Sequence, residues 1–183
     1  MPEKKSSTNN LTMEEKMIKN LFKYLLVIAS IVVVAGCKEQ KMEVGKLAPD
    51  IAVKNAQGEL VDLQDYQGKP VLLDFLSKTC GSCLASIPEL NKIQAQNDKR
   101  LIVLSIAIDL GESELDDFIK SNKIHYPLLA DQLGITQERY QIIGYPTLVY
   151  LNRQHILEKI EQGLTTNPNW ISEVNRWVEK QYQ

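Results

Sequence analysis

Two cysteines separated by two residues, Cys80 and Cys83, are the side chains of this sequence best suited to chemistry. They follow an apolar run at 71–76 that is typical of a buried strand, so a helix is expected to begin at the pair. About one helical turn then separates the two sulfur atoms, with Cys80 at the exposed helix start and Cys83 further in. Unpaired N–H groups at a helix start stabilise a thiolate. The spacing therefore predicts a site for thiol–disulfide exchange.

The third cysteine, Cys37, ends an N-terminal segment that is typical of a secretory signal. Residues 1–20 are polar and carry several lysines, and an apolar run at 24–36 follows. This run is shorter than the ~20 apolar residues that a transmembrane helix needs. Its end, Val34-Ala35-Gly36-Cys37, resembles the bacterial lipobox, in which cleavage leaves a lipid-carrying cysteine as the new N-terminus. We therefore predict a lipoprotein-type signal peptide at 1–36 with lipid on Cys37, and an uncleaved signal anchor is the alternative.

The cysteine count and the charge narrow the cellular setting and the partners. Either interpretation of the N-terminus places the domain outside the cytoplasm, anchored to a bacterial membrane. If Cys37 carries lipid, Cys80 and Cys83 are the only thiols of the mature domain, and an isolated pair in an oxidising compartment is typical of a redox couple. The formal net charge of −2 gives no reason to expect nucleic acid, and two histidines are few for a zinc site. We expect no metal and no cofactor beyond the Cys80–Cys83 disulfide.

Strands alternate with helices along the rest of the chain, which predicts an α/β fold with a central mixed β-sheet flanked by helices. The polar residues 37–45 are interpreted as a tether, so the domain begins at residue 46. Asn and Gly within 55–58 predict an N-terminal β-hairpin. The expected strands are 50–54, 59–63, 71–76, 100–108, 126–129, 147–151 and 155–160, and the expected helices are 80–96, 113–121, 132–140 and 168–181.

Four separated motifs together resemble the thioredoxin superfamily: Gly68-Lys69-Pro70-Val71-Leu72-Leu73-Asp74-Phe75, Cys80-Gly81-Ser82-Cys83, Pro88 and Gly144-Tyr145-Pro146-Thr147. Within that superfamily the chain is most similar to the membrane-tethered TlpA/ResA-like thiol–disulfide oxidoreductases. The start Ala48-Pro49-Asp50 and a central insert from Asp109 to about Ala130 fit this branch. The resemblance implies a thioredoxin-like fold for residues 46–183.

The resemblance also implies a role for each residue of the site. Cys80 is the nucleophile that attacks a substrate disulfide, and Cys83 is the resolving thiol that releases the reduced partner. Asp74 lies six residues before Cys80, where thioredoxin has a buried aspartate, and is the candidate base for the Cys83 proton. Pro146 matches the cis-proline that faces the cysteine pair, and the backbone of Tyr145 is then free to pair with an extended substrate.

Two residues at the cysteine pair depart from the family pattern. Thr79 stands where the family has Trp, and Ser82 stands where it has Pro. Together with Gly81 and Tyr145 they are expected to contact the substrate, and the two departures leave the direction of electron flow open. The resemblance favours a reductant of protein disulfides that receives electrons from a membrane thiol reductase. Cytochrome c maturation is the pathway that this branch suggests.

Two other activities suit a cysteine pair in this sequence. A metallochaperone would hold Cu(I) or zinc through the soft thiolates of Cys80 and Cys83, although neither histidine has a ligand spacing to the pair. A peroxidase of the same fold would need Pro and Thr or Ser upstream of one cysteine. Ser77 stands three residues before Cys80, but Leu73 occupies the position expected for the proline. Thiol–disulfide exchange is the interpretation that the motifs favour.

Overall fold

The described part of this computed structural model comprises residues 16–21, 23 and 42–183. Met1–Glu39 and Gln40–Gln183 are separate units. Residues 16–21 and 23 are helical. No helix among the described residues is long and apolar enough to cross a membrane. Most of the predicted signal peptide lies outside the described residues, and so does Cys37, the predicted site of lipid attachment.

The unit at Gln40–Gln183 alternates strands with helices, and the predicted α/β fold is confirmed. Its described strands are β1 (Val53–Lys54), β2 (Leu60–Val61), β3 (Val71–Leu76), β4 (Ile102–Ala107), β5 (Leu128–Ala130), β6 (Thr147–Leu151) and β7 (Leu157–Gln162). Its described helices are α1 (Gly81–Gln96), α2 (Glu112–Asn122), α3 (Ile135–Arg139) and α4 (Trp170–Lys180), and a 3₁₀ turn covers Leu63–Tyr66.

The strands form one mixed sheet, as predicted, and their order in it is β2-β1-β5-β4-β3-β6-β7. β3 is parallel to β4, and β4 is parallel to β5. The pairs β3–β6, β6–β7, β1–β5 and β1–β2 are antiparallel. Every side chain of β3 is buried, as expected of a strand covered on both faces of the sheet. β3 ends at the loop that leads to the cysteines, so the centre of the sheet carries the site.

Alternate side chains of β3 enter two separate apolar clusters, because successive side chains of a strand point to opposite faces. Leu72 and Leu76 join the cluster that contains Cys83, and we call this side of the sheet the α1 face. Leu73 and Phe75 join the cluster on the other side. The α1 face is covered by buried side chains of α1 and α4: Cys83, Ile87, Leu90, Ile93, Trp170, Val174 and Val178.

The predicted N-terminal β-hairpin is present but shorter than expected. Asn55 lies in its turn, and its Oδ1 accepts hydrogen bonds from the N–H groups two and four residues further on, at 3.0 and 2.9 Å. Gly58 adopts a φ of 76°, which residues with a Cβ rarely adopt. The second strand ends early because Asp62 caps the 3₁₀ turn at Leu63–Tyr66. The turn residues therefore predicted the position of the hairpin better than the apolar runs predicted the lengths of its strands.

The end of the segment predicted as a tether contacts the domain. Met42 packs against the cluster opposite the α1 face. The N–H of Gly45 donates to the carbonyl of Leu157 at 2.8 Å, and the N–H of Ala48 donates to the carbonyl of His155 at 2.9 Å. These bonds place the N-terminal chain beside the turn between β6 and β7.

Candidate active site

The disulfide between Cys80 and Cys83 closes the first turn of α1, with the two Cα atoms 5.2 Å apart. Cys80 is the N-cap residue, and its Sγ accepts a hydrogen bond from the backbone N–H of Cys83 at 3.1 Å. The side chain of Cys80 is partly exposed, whereas that of Cys83 is 1% exposed. An incoming disulfide can therefore reach Cys80 and not Cys83, which is the geometry that a nucleophile and a resolving thiol require.

The loop between β3 and α1 is held by Asp109, which follows β4. Oδ2 of Asp109 accepts from the hydroxyl of Ser77 at 2.7 Å, and Oδ1 accepts from the backbone N–H of Lys78 at 2.8 Å. The hydroxyl of Ser77 lies 3.0 Å from that of Thr79, and Nζ of Lys78 forms an exposed ion pair with Glu114 of α2 at 2.9 Å. Because β3 and β4 are parallel, their carboxyl ends lie at one edge of the sheet. Asp109 thereby positions the residues that lead into Cys80.

Asp74 lies in the middle of β3 and is 1% exposed. Asp74 stands two residues from both Leu72 and Leu76, and every second side chain of a strand points to the same face. Asp74 therefore lies on the α1 face, the side of the sheet that holds Cys83. Its Oδ2 accepts a hydrogen bond from the hydroxyl of Ser105 at 2.6 Å. Burial raises the pKa of the Asp74 carboxyl to about 6, against the lowering effect of the Ser105 bond. Asp74 is thus a buried carboxyl that can exchange a proton near neutral pH.

The loop that precedes β6 brings Pro146 to the same edge of the sheet. Thr147, the first residue of β6, is the register partner of Phe75 near the end of β3. The Tyr145–Pro146 peptide bond is cis, as the resemblance implied. The hydroxyl of Thr147 donates to the carbonyl of Gly144 at 2.7 Å. Tyr145 packs against both apolar clusters, including the one that Cys80 contacts.

The other residues expected to contact a substrate line the disulfide. Thr79 and Gly81, on either side of Cys80, are exposed. Ser82 is partly exposed, and its hydroxyl lies 3.2 Å from Sγ of Cys80. Desolvation, together with the nearby carboxyl of Asp109, raises the pKa of the Tyr145 hydroxyl. These side chains form an open surface around Cys80 rather than a closed cavity.

Sequence reasoning missed three polar residues near the site: Ser105, Asp109 and Tyr126. Ser105 interrupts the apolar run of β4, which is a weak signal for a buried polar contact. Asp109 follows that run at the carboxyl end of a strand, where side chains meet those of the parallel neighbour, and this position was an available signal. Tyr126 is 6% exposed and joins the cluster of Cys83. Nothing in its sequence surroundings distinguishes Tyr126 from an ordinary core residue.

The described residues offer no group of ligands that could hold a metal ion at the cysteines. Within residues 16–21, 23 and 42–183, no three His, Cys, Asp or Glu side chains are grouped so that they could hold a metal ion. The site consists of a disulfide with one accessible sulfur, a buried carboxyl on the same face of the sheet, and a loop with a cis proline before β6. A thioredoxin-like fold that carries this disulfide at the start of α1 defines a thiol–disulfide oxidoreductase.

Comparison with known proteins then gives the family. Residues 44–160 match the AhpC/TSA family, and the chain belongs to it. It is 28% identical over 171 residues to the thiol-disulfide oxidoreductase ResA of Oceanobacillus iheyensis, which covers 86% of this chain and 89% of that protein. It is 30% identical over 132 residues to the thioredoxin-like protein YneN of Bacillus subtilis, with 70% of this chain and 77% of that protein covered.

A solved structure agrees with these relatives. The putative thiol:disulfide interchange protein DsbE from Chlorobium tepidum superposes with a TM-score of 0.68 at 25% identity. The match covers 78% of this chain and all of that one. Both the named activity of the relatives and the fold of this structure support the class that the disulfide defines.

Proposed function

We propose that this protein is an extracytoplasmic, membrane-tethered reductant of protein disulfides. The observation that carries the proposal is the partly exposed Cys80, bonded to a buried Cys83 at the N-terminus of α1. A helix N-terminus favours the Cys80 thiolate once the pair is reduced. A dithiol–disulfide pair carries two electrons by itself, so the proposal requires no further cofactor.

The reaction proceeds in two exchanges. The Cys80 thiolate attacks one sulfur of a substrate disulfide, and the other substrate sulfur leaves with the electron pair of the broken bond. Asp74 then takes the proton of the Cys83 thiol, and the new Cys83 thiolate attacks Cys80 in the mixed disulfide. The bond between Cys80 and the substrate breaks, the substrate sulfur leaves as a thiolate, and Cys80–Cys83 closes. The protein dithiol is oxidised and the substrate disulfide is reduced.

An extended substrate segment docks at the loop before β6. Among the residues that the structure describes, none hydrogen-bonds to the backbone N–H or carbonyl of Tyr145. Unpaired backbone groups at an exposed edge are suited to pairing with an extended chain. Thr79, Gly81 and Ser82 complete the contact surface on the other side of Cys80. The substrate class is therefore an exposed disulfide in a protein or peptide.

The proposed location rests on the N-terminal sequence. A basic segment, a short apolar run and the ending Val34-Ala35-Gly36-Cys37 support export with lipid attached to Cys37. The TlpA/ResA resemblance supports a membrane thiol reductase as the electron donor and cytochrome c maturation as the pathway. Mass spectrometry of the protein extracted from membranes tests the anchor. The mature chain should begin at Cys37 and carry lipid, whereas a chain that retains residues 24–36 and carries no lipid would favour an uncleaved signal anchor.

The activity is tested with reduced wild type, Cys80→Ala and Cys83→Ala acting on a disulfide-bonded peptide. Cys80→Ala should fall to the rate of the uncatalysed exchange, because no accessible nucleophile remains. Cys83→Ala should accumulate a mixed disulfide with the peptide that mass spectrometry detects. A Cys80→Ala variant that reduces the peptide as fast as wild type would overturn the proposal.

A redox titration of the Cys80–Cys83 pair decides the direction of electron flow. A potential near that of thioredoxin, about −270 mV, would support a reductant, and one near about −120 mV would identify an oxidant.

Metal analysis of the reduced protein after dialysis tests the metallochaperone alternative. Stoichiometric copper or zinc that survives dialysis would support a metallochaperone in place of the exchange activity.

A further inference from the structure

A short polar contact lies beneath the redox pair in an otherwise apolar region. Asp74 and Ser105 are register partners on the parallel strands β3 and β4, and both are nearly inaccessible, at 1% and 0% exposure. The hydroxyl of Ser105 donates to Oδ2 of Asp74 at 2.6 Å. Within the described residues, Oδ1 of Asp74 has no hydrogen-bond partner. The two carboxyl oxygens therefore differ: one is held by the protein and the other is free to accept a proton.

The described residues around Asp74 supply no positive charge. From β4 it meets Ser105, from β6 Leu148 is its register partner, and the cluster on its face contributes Cys83 of α1 and Tyr126 before β5. Cys83 and Tyr126 are the titratable groups among them, and neither is a cation at neutral pH. The hydroxyl of Tyr126 hydrogen-bonds to no described residue, although Asp74 and Ser105 are close enough to affect its pKa. Ser105 is thus the group that binds the carboxylate.

We propose that Ser105 is a positioning residue: its hydroxyl holds Oδ2 of Asp74 and directs Oδ1 to accept the proton of Cys83. The inference rests on the proposed role of Asp74 as the base. The S–H bond of Cys83 breaks, its proton moves to Oδ1, and the thiolate attacks Cys80 in the mixed disulfide. The substrate sulfur leaves with the electron pair, and Asp74 returns the proton to solvent after the disulfide has closed.

The Ser105 bond also adjusts the proton affinity of Asp74. Burial alone favours the neutral, protonated carboxyl, and a protonated carboxyl cannot accept the proton of Cys83. The Ser105 hydroxyl stabilises the charged form and so lowers the pKa towards the range in which a base works at neutral pH. Loss of this hydroxyl should leave Asp74 protonated over more of that range.

The test follows the second exchange separately from the first. Reduced protein is mixed with 5,5′-dithiobis(2-nitrobenzoic acid), which releases one thionitrobenzoate when Cys80 attacks and a second when Cys83 resolves the adduct. All proteins carry Cys37→Ser, so that only the pair reacts. Stopped-flow traces from pH 4 to 9 give the rate of each phase for wild type, Ser105→Ala, Ser105→Thr, Tyr126→Phe and Asp74→Asn.

In Ser105→Ala the pH midpoint of the second phase should rise by about one unit, which slows this phase about fivefold at pH 6. Ser105→Thr keeps a hydroxyl and should restore the wild-type midpoint. Tyr126→Phe removes a neighbouring hydroxyl that does not bind the carboxylate, and it should leave the midpoint unchanged. The first phase should be the same in all four proteins that retain Asp74.

The outcomes separate this inference from the proposed function. If Asp74→Asn keeps the wild-type profile of the second phase, the role of Asp74 as the base is wrong. If Asp74→Asn changes the profile but Ser105→Ala does not, the Ser105 inference alone is wrong. Should Ser105→Ala fail to fold, NMR titration of the Asp74 carboxyl carbon in oxidised wild type and Ser105→Thr replaces it. A midpoint in Ser105→Thr displaced by a unit or more from wild type would then overturn the inference.

Discussion

Asp74 is the residue at which the demands of folding and of chemistry conflict. A carboxyl in an apolar strand is costly when ionised, and this one is buried with a single hydrogen-bond partner among the described residues. Its pKa of about 6 lies above the value of about 3.9 for an unfolded chain. The folded protein therefore binds this proton more tightly than the unfolded protein does. The stability that Asp74 contributes is present below about pH 4 and is lost as the pH rises through about 6.

Asp74→Asn should abolish this part of the pH dependence. A difference of two pKa units corresponds to about 3 kcal/mol, so the free energy of unfolding of the variant relative to wild type should increase by about that amount between pH 4 and pH 8. Urea unfolding of the oxidised proteins at both pH values measures it. Asp116→Asn, an exposed acid on α2, is the control and should show no such increase. Parallel pH profiles for wild type and Asp74→Asn would contradict the prediction.

The residues of the site were predictable to different degrees. The cysteine spacing, Asp74 and the proline before β6 were recognisable because each belongs to a motif in the sequence. Ser105 and Asp109 become partners of Asp74 and Ser77 through strand pairing, at sequence separations of 31 and 32 residues. A single sequence does not show which strands are neighbours, so these contacts had to come from the structure.

At the scale of elements, the junction between β3 and α1 depends on a carboxyl from the next parallel strand. Asp109 binds the hydroxyl of Ser77 and the N–H of Lys78, and no other described residue ties both to β4. Hydrogen bonds to a charged group are stronger than neutral ones. The position of Cys80 at the helix start is thus maintained from outside its own loop.

Asp109→Ala should loosen this junction and lower the free energy of unfolding by about 1–3 kcal/mol, because the buried Ser77 hydroxyl and the N–H of the exposed Lys78 both lose their acceptor. Amide hydrogen exchange of Lys78 should accelerate, since its N–H donates to Asp109 at 2.8 Å. Asp116→Ala on the exposed side of α2 is the matched control and should leave this amide unchanged. Unchanged protection of Lys78 in Asp109→Ala would show that the loop is held by other contacts.

The elements themselves were predicted well where the apolar pattern was long. β3, α1 and α4 lie within one or two residues of their expected bounds. The short helix α3 was expected to begin at 132 but begins at Ile135, because the carboxyl of Asp131 accepts from the N–H groups of Thr136 and Gln137 and starts the helix there. A side-chain contact of this kind competes with local propensity and is not visible as periodicity.

At the scale of the whole molecule, the mixed sheet was predicted from the resemblance and from the alternation of strands and helices. The contacts of residues 42–45 were not expected, because the polar segment 37–45 was predicted to be a tether. In the structure Met42 packs against the cluster opposite the α1 face, and the N–H of Gly45 donates to the carbonyl of Leu157. The domain therefore includes a stretch that composition assigns to a linker.

A chain that begins at Pro49 should be less stable than one that begins at Gln40. Loss of three backbone hydrogen bonds to His155 and Leu157 and of the buried Ala48 should lower the free energy of unfolding by about 2–4 kcal/mol. Urea unfolding compares the two chains. The rate of peptide disulfide reduction should be equal in both, because the lost contacts lie beside the turn between β6 and β7. A lower rate of peptide disulfide reduction in the chain that begins at Pro49 would contradict this prediction.

Residues 45–48 contact the domain at the end of the sheet opposite the disulfide. The turn between β6 and β7 adjoins the beginning of β3, since Leu151 is the register partner of Val71, whereas the disulfide lies beyond the end of β3. Six residues of strand span about 20 Å. The chain at residues 45–48 therefore joins the domain about one strand length from Cys80. Changes to the sequence upstream of Met42 should then leave the groups that a substrate meets at Cys80 unaltered.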